Sequence, residues 1–101
     1  MNPVKQISVS SLRSRIEQDS NIIMIDVREY EEVIHGMIPG AVHIPMNDIP
    51  AHVDELRVHP EIIFICRSGY RSERVCEYLQ QLGLESPVNM EGGMLAWTAE
   101  D

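Results

Sequence analysis

Aromatic side chains are scarce in this chain: one Trp, three Tyr and one Phe among 101 residues. The 44% of residues that are hydrophobic must therefore build an aliphatic core, which suits short Val/Ile-rich strands buried beneath helices. Positive charge is scarce too. Eight Lys and Arg stand against sixteen Asp and Glu, for a formal net charge of −8, and that balance argues against nucleic acid or an anionic membrane as the general partner. Two cysteines are too few for a disulfide scaffold. Cys66 and Cys76 do not form a CxxC pair, and the histidines are not spaced with them as zinc ligands, so no metal is expected. No apolar run approaches the roughly 20 residues of a membrane span. The segment MNPVKQISVS lacks the charged and apolar regions of a signal peptide. These absences lead to the expectation of one soluble domain over residues 1–101 in the reducing cytoplasm, where a lone thiol can persist.

What is present alternates between two periods. VKQIS reads as a first strand, and Ser10 or Ser11 can cap a helix through LRSRIEQ, with Leu12 and Ile16 four residues apart. NIIMIDV and EIIFI are continuous apolar runs, the pattern of strands buried on both faces. EYEEVIHG reads as one or two helical turns stopped at Gly36, AVHI as a short strand, and the stretch from about Asp48 to His59 as helical. SERVCEYLQQLG carries Val75, Tyr78, Leu79 and Leu82 at helical spacing and ends on Gly83; PVNM reads as a last strand and GGMLAW as a closing helix. There is no internal repeat or linker. Strands alternating with helices imply an α/β fold with a mostly parallel sheet covered on both faces, and in such sheets ligands bind at the carboxyl ends of strands.

Cys66 sits at such an end, at the head of CRSGYRS. On an acidic background, Arg67, Arg71 and Arg74 cluster around this one cysteine. A thiol is a weak nucleophile until it ionises. The loop leads into a helix N-terminus with unpaired N–H groups, Arg67 and Arg71 add cations, and Gly69 allows a tight curve with N–H groups pointing inward. Such a cradle would hold a small sulfur or phosphorus oxyanion beside a thiolate. A free cysteine is also often just a buried apolar residue. That reading fits Cys76, which lies in a helix beside Val75 and Leu79, but it leaves the arginines, glycine and serine after Cys66 unexplained.

With these residues in view, the sequence resembles the single-domain rhodanese (thiosulfate sulfurtransferase) family. IDVREYEEVIHGMIPGAVHIP resembles its first signature, CRSGYRS its active-site loop and NMEGGMLAW its C-terminal Gly-Gly…Trp signature, in the expected order. The resemblance implies a rhodanese-like five-stranded, mostly parallel sheet with helices on both faces. It also implies a persulfide mechanism without a cofactor. Cys66 would take sulfur from thiosulfate and pass it to cyanide or a thiol. Arg67, Ser68, Gly69, Tyr70, Arg71 and Ser72 would bind the substrate, with Arg71 helping to neutralise it and Arg67 attracting it at the rim. Asp26 and Arg28 are expected to pair and organise the strand-end loops near the site. Gly92 and Gly93 are expected to allow close backbone packing or positive φ, and Trp97 to be core or wall. The histidines show no partner, and the acidic run Glu29, Glu31 and Glu32 reads as a solvated helix face. Met37 stands where the family often has histidine; little consequence is expected, because that turn lies remote from the thiol in the family fold.

Two rivals remain. Cysteine-dependent phosphatases and arsenate reductases of similar fold place their arginine one position later, where this chain has Ser72. A persulfide carrier or docking module, taking sulfur from a protein donor for RNA thiolation or cofactor assembly, would use the same chemistry at Cys66.

Overall fold

A computed structural model of the chain describes residues 3–19 and 21–99. Residues 1, 2, 20, 100 and 101 of the expected domain lie outside the described residues. Five strands are present: β1 (Lys5–Ile7), β2 (Met24–Asp26), β3 (Val42–His43), β4 (Ile62–Ile65) and β5 (Pro87–Met90). They form one sheet in the order β1-β5-β4-β2-β3, and every neighbouring pair is parallel. The expected mostly parallel sheet is thus parallel throughout.

The helices are α1 (Val9–Gln18), α2 (Tyr30–Val33), α3 (Val53–Arg57), α4 (Tyr70–Gln81) and α5 (Gly93–Ala99), with a 3-10 helix over Met46–His52 before α3. Alternation along β4 divides the core into two halves. Ile62 and Phe64 pack with Leu56 of α3 and with Val75, Cys76 and Leu79 of α4. Ile63 and Ile65 pack with Val9 and Leu12 of α1 and with Ala96 and Trp97 of α5. All four residues of β4 are buried, which is why EIIFI shows no polar alternation. Burying each such side chain is worth roughly 1.5–3 kcal/mol, so the two halves together hold the central strand in place.

Three local expectations are corrected. The cap of α1 is Ser8, whose hydroxyl accepts from the Ser11 N–H at 3.1 Å, rather than Ser10 or Ser11. The helix expected from Asp48 is 3-10 until His52 and becomes α-helical only at Val53. Pro50 lies within it, lacks an N–H and crowds the preceding turn. The helix after the cysteine loop begins at Tyr70 rather than Ser72.

Candidate active site

The carboxyl ends of β2, β4 and β5 meet at one edge, and Asp26 stands level with Ile65 in the register. Cys66 follows Ile65 directly and is buried. Gly69 then turns the chain with φ of +96° and serves as the N-cap of α4, although it has no side chain to cap with. The sulfur of Cys66 supplies the missing acceptor. It receives the Gly69 N–H at 3.1 Å, the Ser72 N–H at 3.4 Å and the Ser72 hydroxyl at 3.3 Å. Orphan donors of a helix's first turn are thereby satisfied by a side chain that is also a nucleophile.

The carbonyls of the same loop are drawn the other way. Met94 N–H donates to the Cys66 carbonyl at 2.8 Å and Leu95 N–H to the Arg67 carbonyl at 2.9 Å, so the first turn of α5 pins the loop from outside. Gly93 makes this contact possible. Its φ is +60°, and a β-carbon there would lie 2.4 Å from the Arg67 carbonyl oxygen. The expected backbone role of the glycine pair is therefore visible in space.

Burial pushes the Cys66 thiol up, but hydrogen bonds from the Ser72 hydroxyl and from the N–H groups of Ser72, Gly69 and Ser68 outweigh it. The thiol ends below its ordinary value. Cys76, fully buried in α4, is pushed up to about 12, chiefly by desolvation. The thiols of two cysteines ten positions apart are therefore shifted in opposite directions.

The arginines are placed differently from expectation. Arg71 is held by Glu32 through two bonds of 2.7 and 2.8 Å. Arg74 binds the Tyr70 hydroxyl at 2.9 Å and Glu77 at 3.4 Å on the exposed side of α4. Arg67 is exposed and makes no ion pair among the described residues. The lowering of the Cys66 thiol thus comes chiefly from hydrogen bonds around the sulfur, with the charge of Arg71 acting in the same direction. Ser68 and Tyr70 also have exposed side chains.

Glu32 was expected to be solvated. It instead closes a capping box with Glu29 at the start of α2 and pairs with Arg71, which holds its carboxyl down at about 2. Asp26 and Arg28 do pair: the buried carboxylate accepts from Arg28 Nε at 3.0 Å, from Nη2 at 2.8 Å and from the Arg28 N–H at 3.0 Å. Arg28 Nη2 also donates to the Gly36 carbonyl at 2.7 Å, and the Arg28 carbonyl accepts from His43 Nε2 at 2.7 Å. One buried ion pair thereby ties together the loops after β2 and α2 and the end of β3. Met37 shares with Arg28, Glu32, Arg67, Met94 and Trp97 the wall of a cleft of about 510 Å³ that Cys66 itself does not line.

The description "Rhodanese-like domain" applies to residues 8–100, as matched by the family model. The chain belongs to the rhodanese-like domain family. A Bacillus subtilis (strain 168) protein named "Putative sulfurtransferase YtwF" is 53% identical over 97 residues, covering 96% of this chain and 93% of that protein. From the same organism, "Putative sulfur carrier protein YrkF" is 34% identical over 97 residues, covering 96% of this chain and 52% of its own length. The crystal structure of a rhodanese-like domain protein from Staphylococcus aureus superposes with a TM-score of 0.84 at 35% identity, covering 93% of this chain and 91% of that one. At the level of the family, the chemistry is sulfur transfer.

Within this rhodanese-like domain, two residues of the site escaped sequence reasoning. One is Glu32, for which the Glu29-x-x-Glu32 spacing of a capping box was the available signal. The other is Asn89, buried in β5, whose carbonyl takes the Ser72 hydroxyl at 2.5 Å. An amide in the apolar run PVNM already demands a partner, because buried polar groups are almost always hydrogen-bonded. Among the described residues no cluster of His, Cys, Asp or Glu could hold a metal, and no helix is long and apolar enough to cross a membrane.

Proposed function

We propose that the protein is a thiosulfate-type sulfurtransferase that carries sulfur as a persulfide on Cys66. The observation that supports this reading is the convergence of two backbone N–H groups and one hydroxyl on a single buried sulfur. Donors aimed at a fixed point stabilise charge there without reorganisation, which favours the attacking thiolate. The Cys66 thiolate attacks the outer sulfur of thiosulfate. The sulfur–sulfur bond of the donor breaks, and sulfite leaves with the bonding pair. Cys66 now bears a persulfide anion. A thiolate acceptor, or cyanide in an assay, then attacks the outer sulfur and releases the Cys66 thiolate. Arg67, exposed on the rim, draws the dianion in. No proton needs to move in either step once the thiolate exists, so neither His35 nor His43 has a part in the chemistry. Both cysteines are free thiols, as a reducing cytoplasm would keep them.

A second reading is favoured by one contact. Because Glu32 occupies Arg71, the loop's inner cation is already neutralised. A free dianion must compete with that carboxylate, whereas the persulfide of a protein donor brings less charge. A carrier that receives sulfur from a protein fits this better, and thiosulfate would then be a surrogate.

Intact-mass spectrometry of the reduced protein after thiosulfate, with peptide mapping, tests the first reading. One added sulfur on Cys66, removable by cyanide and absent in Cys66→Ser, is the expected result. Sulfur on Cys76, or loading that survives Cys66→Ser, would overturn it. Loading from a cysteine-persulfide protein but not from thiosulfate would select the second.

A further inference from the structure

Asn89 sits on β5, between β1 and β4, is 3% exposed, and its side chain joins a directed chain of hydrogen bonds. Its Nδ2 donates to Gln6 Oε1 at 2.9 Å, and Gln6 Nε2 donates to Glu73 Oε1 at 2.7 Å. A carboxylate only accepts, so Glu73 fixes which way round the Gln6 amide lies. Gln6 then offers its carbonyl to Asn89, and Asn89 must offer its NH2 to Gln6 and its carbonyl to Ser72. The Ser72 hydroxyl lies 2.5 Å from Asn89 Oδ1 and 3.3 Å from the Cys66 sulfur. It has one proton for these two acceptors.

We propose that Asn89 is a positioning residue that competes with the Cys66 sulfur for the Ser72 hydroxyl proton, and that Gln6 and Glu73 hold it in the competing orientation. With Cys66 protonated, the hydroxyl donates to Asn89 and accepts from the S–H. With Cys66 ionised, the hydroxyl turns to the sulfur and strips the buried Asn89 carbonyl of its donor, which carries a desolvation penalty. The network is therefore a brake on the bare thiolate. Other charged or ionisable groups lie near Cys66. Arg71 of α4 is closed on Glu32 of α2 yet still acts on the sulfur through its charge, Arg67 of the loop is exposed, Cys76 of α4 is a buried thiol raised in part by the charge of Cys66, and Asp26 at the end of β2 is closed on Arg28. The purpose of the brake rests on the sulfurtransferase reading. Once sulfur is added, the negative charge lies on the outer atom and the hydroxyl can return to Asn89, so sulfur uptake is favoured over the empty thiolate.

The test reads thiol ionisation alone and needs no sulfur donor, so it stands or falls separately from that reading. The rate of iodoacetamide alkylation of Cys66, followed by peptide mass spectrometry from about pH 5 to about pH 10, gives the titration. Gln6→Met exchanges one neutral, exposed side chain for another and leaves Asn89 Nδ2 without its acceptor. The amide can then turn over and donate to the Ser72 oxygen, which frees the hydroxyl for the sulfur. Asn89→Leu removes the competitor altogether. Each variant is expected to move the titration down by about one pH unit, or about tenfold faster alkylation at acidic pH. Neither should move it in a Ser72→Ala background, where there is no hydroxyl to redirect. An unchanged or raised titration in Gln6→Met, with native melting, would overturn the proposal, as would an equal downward shift without Ser72. Should Asn89→Leu fail to fold, the surface variant decides alone.

Discussion

Glu32 holds Arg71 face to face, with Nη1 on Oε1 at 2.7 Å and Nη2 on Oε2 at 2.8 Å, across 39 residues of chain. The pair links the short helix after β2 to the first turn of α4 and spends a loop arginine on a carboxylate. The paired, parallel geometry is the strong form of this contact.

That pair makes the acid limb of stability predictable. The hydrogen bond from Arg71 lowers the Glu32 carboxyl from 4.5 to about 2. A carboxyl lowered by folding contributes stability in full above about 4.5, and the contribution is lost as pH falls through about 2. Glu32→Gln keeps a residue able to close the capping box. It should cost roughly 1.5–3 kcal/mol at neutral pH and flatten the fall in stability across that acid window, as measured by urea titration at several pH values.

The same substitution frees Arg71. If the carboxylate opposes anionic donors, Glu32→Gln should raise kcat/KM for thiosulfate several-fold while leaving an uncharged persulfide donor nearly unaffected. Equal changes for both donors would show that Glu32 acts on the shape of the site and not on its charge.

Arg67 is the complementary case. Exposed and without an ion pair among the described residues, it should act mainly on encounter. Arg67→Ala is expected to lower thiosulfate kcat/KM about tenfold at low salt and to weaken its dependence on ionic strength. Initial rates over a salt series supply the check.

Labelling should separate the two cysteines. Near neutral pH, iodoacetamide is expected to modify Cys66 and spare Cys76, whose thiol burial pushes up to about 12. Peptide mass spectrometry after limited alkylation would show both cysteines reacting slowly if the sulfur of Cys66 were not stabilised by its donors.

Gly93→Ala should be severe. The β-carbon would meet the Arg67 carbonyl oxygen at 2.4 Å, and the backbone φ is +60°. Strain and overpacking together suggest a loss of about 2–5 kcal/mol, seen as a lower melting temperature, and loss of sulfur loading even in the fraction that folds.

Much of the architecture was legible because it is local. Met24–Asp26 closes an apolar run that ends in an acid, Ile62–Ile65 lies inside an unbroken one, and β5 coincides with PVNM. The cysteine loop was legible because sulfur, glycine, serine and helix start lie within seven residues. The partners were not, because they come from far along the chain. Arg71 meets Glu32 39 residues away, and Asn89 meets Gln6 83 residues away. An acidic run looks solvated until a distant guanidinium is folded onto it. The cap of α1 was missed for a different reason: Ser8, Ser10 and Ser11 all have the right chemistry, and only the backbone angles of Ser8 settle which one caps. Pro50 was in plain view, and its effect on the helix through it follows from the missing N–H.

The hold of α5 on the loop also sets an order of events during synthesis. Cys66 leaves the ribosome before residues 93–99, whose N–H groups must draw the Cys66 and Arg67 carbonyls outward. Until that last turn docks, nothing pins the loop in the shape that gathers its donors on the sulfur. The thiol of a nascent or truncated chain should therefore stay near ordinary reactivity, and chemical competence should arrive only after the segment carrying Gly93 has docked.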